Sequence, residues 1–499
     1  MAATVLLGVD IGTSSSKGVL VTADGRVIAR ASRPHETSYP HPGWVEHDPE
    51  GVWWADFTAI VRELLPSVGD AELGGLAVSG IGPVLLPADG SGKPLRPAIL
   101  YGVDTRATRQ IVDLTEEFGA EEILARGGSA LSSQAVGPKL RWLAEHEPEN
   151  FHRTEMLLMC SSYLVHRLTG EYVLDQHSAS QCDPLYDLRS RSWALDWAQR
   201  IAPGIPLPEL SWPNEVVGRV GSAAAAETGL PEGLPVTAGT VDAWAEATSA
   251  GVREPGDVML MYGTTMFFIQ VLSDVRPHPV LWGTSGAFPG TYTLAAGMAT
   301  SGAVTEWLRG LLDGEFTELV RDAEQVPAGS RGLLLLPYFA GERTPIFDPD
   351  ARGVLAGLTT EHRRPEIYRA ALEGIGYGVR HNLEAMRSAG GAAKRVVAVG
   401  GGTQGGLWTQ IVSDITGSEQ QIPGETVGAA YGDALLAGVA TGTAVDPERW
   451  NPVTTVVRPR PEVYQRYAEY FQRYRELYES TRDIAHFLAA EQRAADERD

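Results

Sequence analysis

Two short segments, about half the chain apart, repeat one design: an apolar run, a glycine–hydroxyl turn and a second apolar run. The first is "GVDIGTSSSKG", residues 8–18, entered from the apolar Val5–Val9 and left through Gly18–Val21. The second is "DVMLMYGTTMFFIQV", residues 257–271, turning at Gly263-Thr264-Thr265. A strand–turn–strand unit in each half of a 499-residue chain predicts two related domains. The first turn is not a Walker loop, which needs GxxxxGK[ST] leading into a helix, nor a GxGxxG dinucleotide fingerprint. It is followed by the turn "ADGR" and a third β-prone run, Val27–Ala31, so it is expected to join two antiparallel strands.

Such a hairpin suits phosphate. Gly12 lets the backbone approach closely, the amides and hydroxyls of Thr13, Ser14 and Ser15 can donate to phosphate oxygens, and Lys17 adds a compact positive charge. Asp10 would repel a phosphate directly and is expected instead to order water around a magnesium ion. The alternative is an ordinary Gly/Ser hairpin with a solvated lysine. The second copy at Gly263-Thr264 favours the phosphate reading, with a nucleotide lying between two facing domains.

Between the copies, "LPVTAGTVDAWAEATSAG", residues 234–251, reads as a short strand and an alanine-rich helix with Asp242 at their junction. Asp242 can cap that helix, or it can take a hydroxyl proton during phosphoryl transfer; its place just before the second hairpin favours the base. "VVAVGGGTQGGLWTQIVSDITG", residues 396–417, reads as strand, triple glycine and helix, a layout open to a flat ring or a phosphate, or to a tight turn alone. "ETVGAAYGDALLAG", residues 425–438, reads as a helix of small residues, suited to close contact at a hinge or to plain burial. In "PEVYQRYAEYFQRYRELYES", Tyr464, Tyr467, Phe471, Tyr474 and Tyr478 recur at helical spacing and predict a helix docked on the body of the protein, ahead of a solvated end, residues 491–499.

Composition narrows the function classes. The formal net charge of -22 repels polyphosphate backbones and argues against nucleic-acid binding. Cys160 and Cys182 form no CxxC pair, which argues against a disulfide framework or structural zinc and for a reducing cytoplasm. The start lacks a signal-peptide pattern, and the richest apolar run, "GLLLLPYFAG", is too short to span a bilayer.

These elements, in this order, resemble the FGGY carbohydrate kinases of the actin-like ATPase superfamily, and in particular their xylulokinase-like members. "GVLAGLTTEHRRPEIYRAALEG", residues 353–374, matches the family's C-terminal pattern, "KLRWLAEH" its N-terminal one through Lys139, Trp142 and Glu145, and "LPYFAGERTP" its L-P-Y-x-x-G-E-R-T-P stretch. The resemblance implies an α/β fold of two actin-like, ribonuclease H-like ATPase domains with a cleft between them. It implies an N-terminal domain over 1–247 for sugar and phosphate, a nucleotide-binding domain over 248–446, and a helical segment over 447–499. ATP and Mg2+ are the implied cofactors, with Asp10 holding the magnesium shell. Gly12, Thr13, Ser14, Ser15 and Lys17 would contact the phosphates from one side, and Gly263 and Thr264 from the other. Gly302, Gly401, Gly402, Thr403 and Gly406 would border the nucleotide, and Asp242 matches the general base.

The sugar end departs from the best-known relatives. Xylulokinases carry a Met-His pair where "SGIGPVLLP" has Gly82-Pro83, and an asparagine after the base where Ala243 stands; the Arg-Glu pair of glycerol kinases is missing too. "LYGVDTR" keeps Asp104 and Arg106 as a D-x-R element, and Trp244 could stack on a sugar face or belong to the core. The expected activity is transfer of the ATP γ-phosphate to a small sugar or polyol, a ketopentose such as xylulose or ribulose first. A four-carbon polyol, a glycerol-like acceptor or a deoxy-ketose is the alternative. A catalytically idle sugar sensor is the rival from another class, and retention of Asp10, Lys17, Thr264 and Asp242 argues against it. No nucleic-acid or membrane partner is expected, and a homodimer is compatible with the pattern.

Overall fold

The computed structural model describes residues 3–426, 428–443, 446 and 449–496. Val427 within the expected small-residue helix, residue 447 at the expected third boundary, and 497–499 of the expected solvated end lie outside the described residues. The chain divides into two compact units. One comprises Met1–Pro255, Val271–Thr293 and Val427–Pro452, the other Gly256–Gln270, Leu294–Thr426 and Val453–Asp499.

The first unit is built on a sheet with strands in the order Val216–Arg219, Pro235–Thr237, Glu72–Gly80, Thr4–Ile11, Ser15–Thr22 and Val27–Pro34. The opening segment is the expected hairpin: Thr4–Ile11 runs antiparallel to Ser15–Thr22, with Asp10 opposite Lys17 and Ile11 opposite Ser16. Thr4–Ile11 also pairs in parallel with Glu72–Gly80. A strand with neighbours on both edges and cover on both faces reads as a continuous apolar run, which accounts for "TVLLGVDI". On one face Leu7, Val9 and Leu20 pack with Phe57, Ile60 and Val61 of the helix Ala55–Leu64. On the other, Leu6, Val19 and Val21 pack with Ala430, Ala434 and Ala437 of the helix Ala429–Ala440.

The second unit repeats the arrangement, as the spacing of the two hairpins predicts. Its strands run in the order Tyr292–Met298, Met266–Leu272, Asp257–Tyr262, Arg395–Val399, Gln420–Pro423 and Val453–Val457. Asp257–Tyr262 is antiparallel to Met266–Leu272 and parallel to Arg395–Val399, the same relations that Thr4–Ile11 has to its neighbours. The helix Pro461–Asp496 lies on this unit. Tyr467, Phe471 and Tyr474 are fully buried, Tyr474 meets the Tyr338 hydroxyl at 2.8 Å, and Tyr467 accepts from Arg369 at 2.9 Å. Among the described residues no helix is long and apolar enough to cross a membrane, and both cysteines are buried free thiols.

Candidate active site

In the first unit the hairpin closes through Gly12 N–H donating to the Ser15 carbonyl at 3.1 Å, which leaves Thr13, Ser14 and Lys17 exposed at the edge of the sheet. Asp10, two residues before the turn, is buried. The hydroxyl of Ser79, on the neighbouring parallel strand, lies 3.2 Å from Asp10 Oδ1 and 2.6 Å from Asp433 Oδ2. Burial pushes Asp433 well above the usual carboxylate range, and the charge on Asp10 adds to it.

Asp242 is the first residue of the helix Asp242–Ser249, as the strand-to-helix reading predicts. Its Oδ1 accepts from the Ala243 amide at 2.7 Å, a local bond at the helix start that leaves Oδ2 for a ligand. Burial pushes this carboxyl well up; the charges of Asp10 and Glu246 add to the rise and Lys17 opposes it. Glu246, one turn further on, is pushed up to about 7 by burial and by Asp10, and Asp10 itself to about 6 by burial against the pull of Lys17. Four acids thus gather in one unit with Lys17 as the cation acting on three of them. Sequence reading found Asp10 and Asp242 but not Ser79, Glu246 or Asp433. "GDALLAG" carries no signal for a buried acid beyond the aspartate itself.

This donor set suits a hydrated divalent cation. It is rich in carboxylate oxygen, and Asp433 Oδ1 is buried with no hydrogen-bond partner. Among the described residues no group of three or more His, Cys, Asp or Glu side chains is placed to hold a metal ion.

The expected sugar-side residues fall into two groups. Gly82 lies against the residue preceding Asp242: a Cβ on it would come within 2.7 Å of Val241 Cγ2, so the Gly82-Pro83 segment borders the start of the helix Asp242–Ser249. Asp104 and Arg106, by contrast, are committed to each other. Both side chains are fully buried, Arg106 Nη2 donates to Asp104 Oδ2 at 2.7 Å and Nη1 to Glu46 at 2.8 Å, and the guanidinium lies 4.1 Å over the Trp44 ring. Trp244 is buried and stacked on His177 with ring centroids 3.7 Å apart, its indole N–H donating to Thr293 at 3.1 Å.

In the second unit the turn at Gly263 is closed by its amide donating to the Thr265 carbonyl at 3.1 Å. The start of the helix Gly302–Leu311 sits directly on it. Gly302 N–H donates to the Gly263 carbonyl at 3.0 Å, while Ser301 and Ala303 donate to that of Thr264 at 3.0 and 3.1 Å. Gly302 has no room for a side chain, since a Cβ would meet the Gly263 oxygen at 2.6 Å. Gly401–Thr403 forms a single 3₁₀ turn after the strand Arg395–Val399, with Gly402 pressed on the Trp408 ring. Gly401 and Gly406 face open space, and Thr403 is folded inward, its hydroxyl donating to the Gly400 carbonyl at 2.8 Å.

Comparison with known proteins identifies this arrangement. The N-terminal-domain model of the FGGY family of carbohydrate kinases matches residues 5–248, and the C-terminal-domain model residues 258–441. The xylulose kinase of Escherichia coli (strain K12) is 31% identical over 443 residues, spanning 87% of this chain and 90% of its own. A glycerol kinase of Alkalilimnicola ehrlichii is 32% identical over 465 residues, spanning 88% and 90%. The crystal structure of xylulose kinase from Rhodospirillum rubrum aligns with a TM-score of 0.90 at 33% identity, over 97% of this chain and 100% of that one. The protein is therefore a two-domain α/β phosphotransferase with an alcohol group as acceptor. It belongs to the FGGY family of carbohydrate kinases.

Proposed function

We propose that this sugar kinase transfers the γ-phosphate of ATP to a hydroxyl of a ketopentose such as xylulose or ribulose, with Asp242 as general base. The observation that carries the proposal is the place of Asp242 at the start of its helix, with Oδ1 held by the Ala243 amide and Oδ2 left for a ligand, in the unit that also carries the Asp10 hairpin. The acceptor class is supported by the xylulose kinases among the relatives. The similar identity of a glycerol kinase keeps a smaller polyol as the second reading.

In this reading residues 1–247 bind sugar and phosphate, and 248–446 bind the nucleotide. Gly12, Thr13, Ser14, Ser15 and Lys17 hold terminal phosphates, as do Gly263 and Thr264; Gly302, Gly401, Gly402 and Gly406 border the nucleotide. Asp242 Oδ2 receives the acceptor hydroxyl's proton. The hydroxyl oxygen bonds to the γ-phosphorus as the bond to the β–γ bridging oxygen breaks. Asp10 would hold a magnesium ion, which would supply neutralisation of phosphate charge. Most of the rate gain then comes from alignment and charge stabilisation.

A panel of ketopentoses, glycerol and four-carbon polyols, assayed for ADP release, tests the acceptor. Xylulose or ribulose is expected to give the highest kcat/KM, and preference for glycerol would overturn the ketopentose reading. The electrostatics predict a signed pH effect. The base is active when deprotonated, so activity falls as pH drops through its titration. Glu246→Gln removes a charge that raises Asp242 and is expected to move the acid limb of kcat/KM to lower pH. Lys17→Met removes a charge that lowers it and is expected to move the limb to higher pH. pH–rate profiles check both, and shifts of the same sign would refute the cluster.

A further inference from the structure

The first turn is held from behind by side chains that no sequence motif marks. His35 Nε2 lies 3.1 Å from the Gly12 carbonyl, and its Nδ1 lies 2.8 Å from Asp56 Oδ2. A carbonyl and a carboxylate both accept, so the His35 ring is placed to donate from Nε2 to Gly12 and from Nδ1 to Asp56. The Thr37 hydroxyl donates to the Thr13 carbonyl at 3.0 Å. Behind it the donors run in series: Trp53 Nε1–H donates to His47 Nδ1 at 3.1 Å, leaving His47 Nε2–H to donate to Thr37 Oγ1 at 3.1 Å. Burial and the charge on His35 press His47 down to about 4, consistent with this neutral tautomer. The backbone amide of His35 donates to the Ser14 carbonyl at 3.0 Å. Asp56 from the helix Ala55–Leu64, His47 from the strand Glu46–His47 and Asp10 from the first strand are the titratable groups facing His35.

Three successive carbonyls, Gly12, Thr13 and Ser14, are therefore pinned inward. In a trans peptide the N–H points opposite the C=O. Pinning these carbonyls turns the amides of Thr13, Ser14 and Ser15 to the open side, where they can donate to an anion. The turn of the second unit uses the same logic with different means. There the Gly263 and Thr264 carbonyls are pinned by backbone amides of Ser301, Gly302 and Ala303. Two of the three carbonyls of the first turn are held by side chains, and so can be loosened by substitution without disturbing a helix.

We infer that His35 and Thr37 are positioning residues for phosphoryl transfer, aiming the Thr13–Ser15 amides at the terminal phosphates of the nucleotide through the Gly12 and Thr13 carbonyls. The inference rests on the reading of this turn as a phosphate site. His35→Gln cannot reach both Gly12 and Asp56 as the two ring nitrogens do; Thr37→Val removes the hydroxyl at nearly constant volume; Thr37→Ser keeps it. Each disabling variant is expected to weaken MgATP binding about tenfold in calorimetric titration of the full chain, the equivalent of one lost hydrogen bond, with Thr37→Ser within about twofold of wild type.

The KM for the acceptor sugar is expected to stay constant, which a general loosening of the unit would not allow. Wild-type MgATP affinity in both disabling variants would overturn the inference, and so would an equal loss of sugar and nucleotide affinity. Lys17→Met separates the two levels. If it leaves MgATP binding unchanged, the phosphate reading of the turn fails. If it weakens binding while His35→Gln and Thr37→Val do not, only the positioning role fails.

Discussion

Asp242→Asn is expected to lower kcat by on the order of 10²-fold or more, with MgATP binding retained. The amide is isosteric and its oxygen can still accept from the Ala243 N–H, so the start of the helix Asp242–Ser249 survives. What is lost is the ability to receive the acceptor's proton. Because burial raises this carboxyl, the folded protein holds the proton more tightly than the unfolded chain does. Its contribution to stability is therefore fully present below the ordinary carboxylate range, near pH 4, and is lost as pH rises through the higher folded value. A neutral asparagine escapes that loss, so the variant should melt with wild type in acid and above it at pH 8. Loss of rate joined to a gain in alkaline stability separates removal of a catalytic charge from misfolding. Single-turnover measurement of phosphoryl transfer and melts at two pH values check it, and near-normal kcat would refute the assignment of the base.

Part of this site is legible in the amino-acid order alone. The hairpins announce themselves because a strand buried on both faces is a near-continuous apolar run, and because glycine and small hydroxyl residues between two such runs favour a tight reversal of the chain. Asp242 is legible for a similar reason, since a strand, a polar junction and an alanine-rich helix are each local signals. The D-x-R spacing of Asp104 and Arg106 does not reveal that the guanidinium folds back on its neighbour and lies over Trp44, because the rings it meets come from residues 44 and 142. Asp433 and Ser79 are 354 positions apart and meet only because the helix Ala429–Ala440 returns to the first sheet. The brace behind the turn is hidden for another reason. "SRPHETSYPHPGWVEHDPEG" mixes a strand end, an irregular loop and a helix entry, so its histidines follow no period that sequence reading could detect.

The small-residue helix Ala429–Ala440 supplies the largest expected loss of stability, through Gly432→Ala. A Cβ at Gly432 would meet the Ala245 carbonyl oxygen at 1.9 Å, and one at Gly8 would meet the Ala430 oxygen at the same distance. The helix therefore touches, backbone to backbone, both the strand that carries Asp10 and the helix that carries Asp242. These partners are main-chain atoms that cannot rotate aside, so a single methyl must drive the elements apart. Overpacking of this kind is expected to cost about 3 kcal/mol, against the ~1 kcal/mol that alanine normally gains over glycine inside a helix. Gly310→Ala provides the contrast: that position is exposed near the end of the helix Gly302–Leu311 with nothing within 4 Å of a new Cβ, so the same change is expected to stabilise by about 0.5–1 kcal/mol. Denaturant titration of both variants gives the two signs. Because Gly432 sets the spacing of Asp10 and Asp242, its alanine variant should also lose kcat under conditions where it remains folded. A Gly432→Ala protein with wild-type stability and kcat would mean that this contact holds neither the fold nor the acids in place.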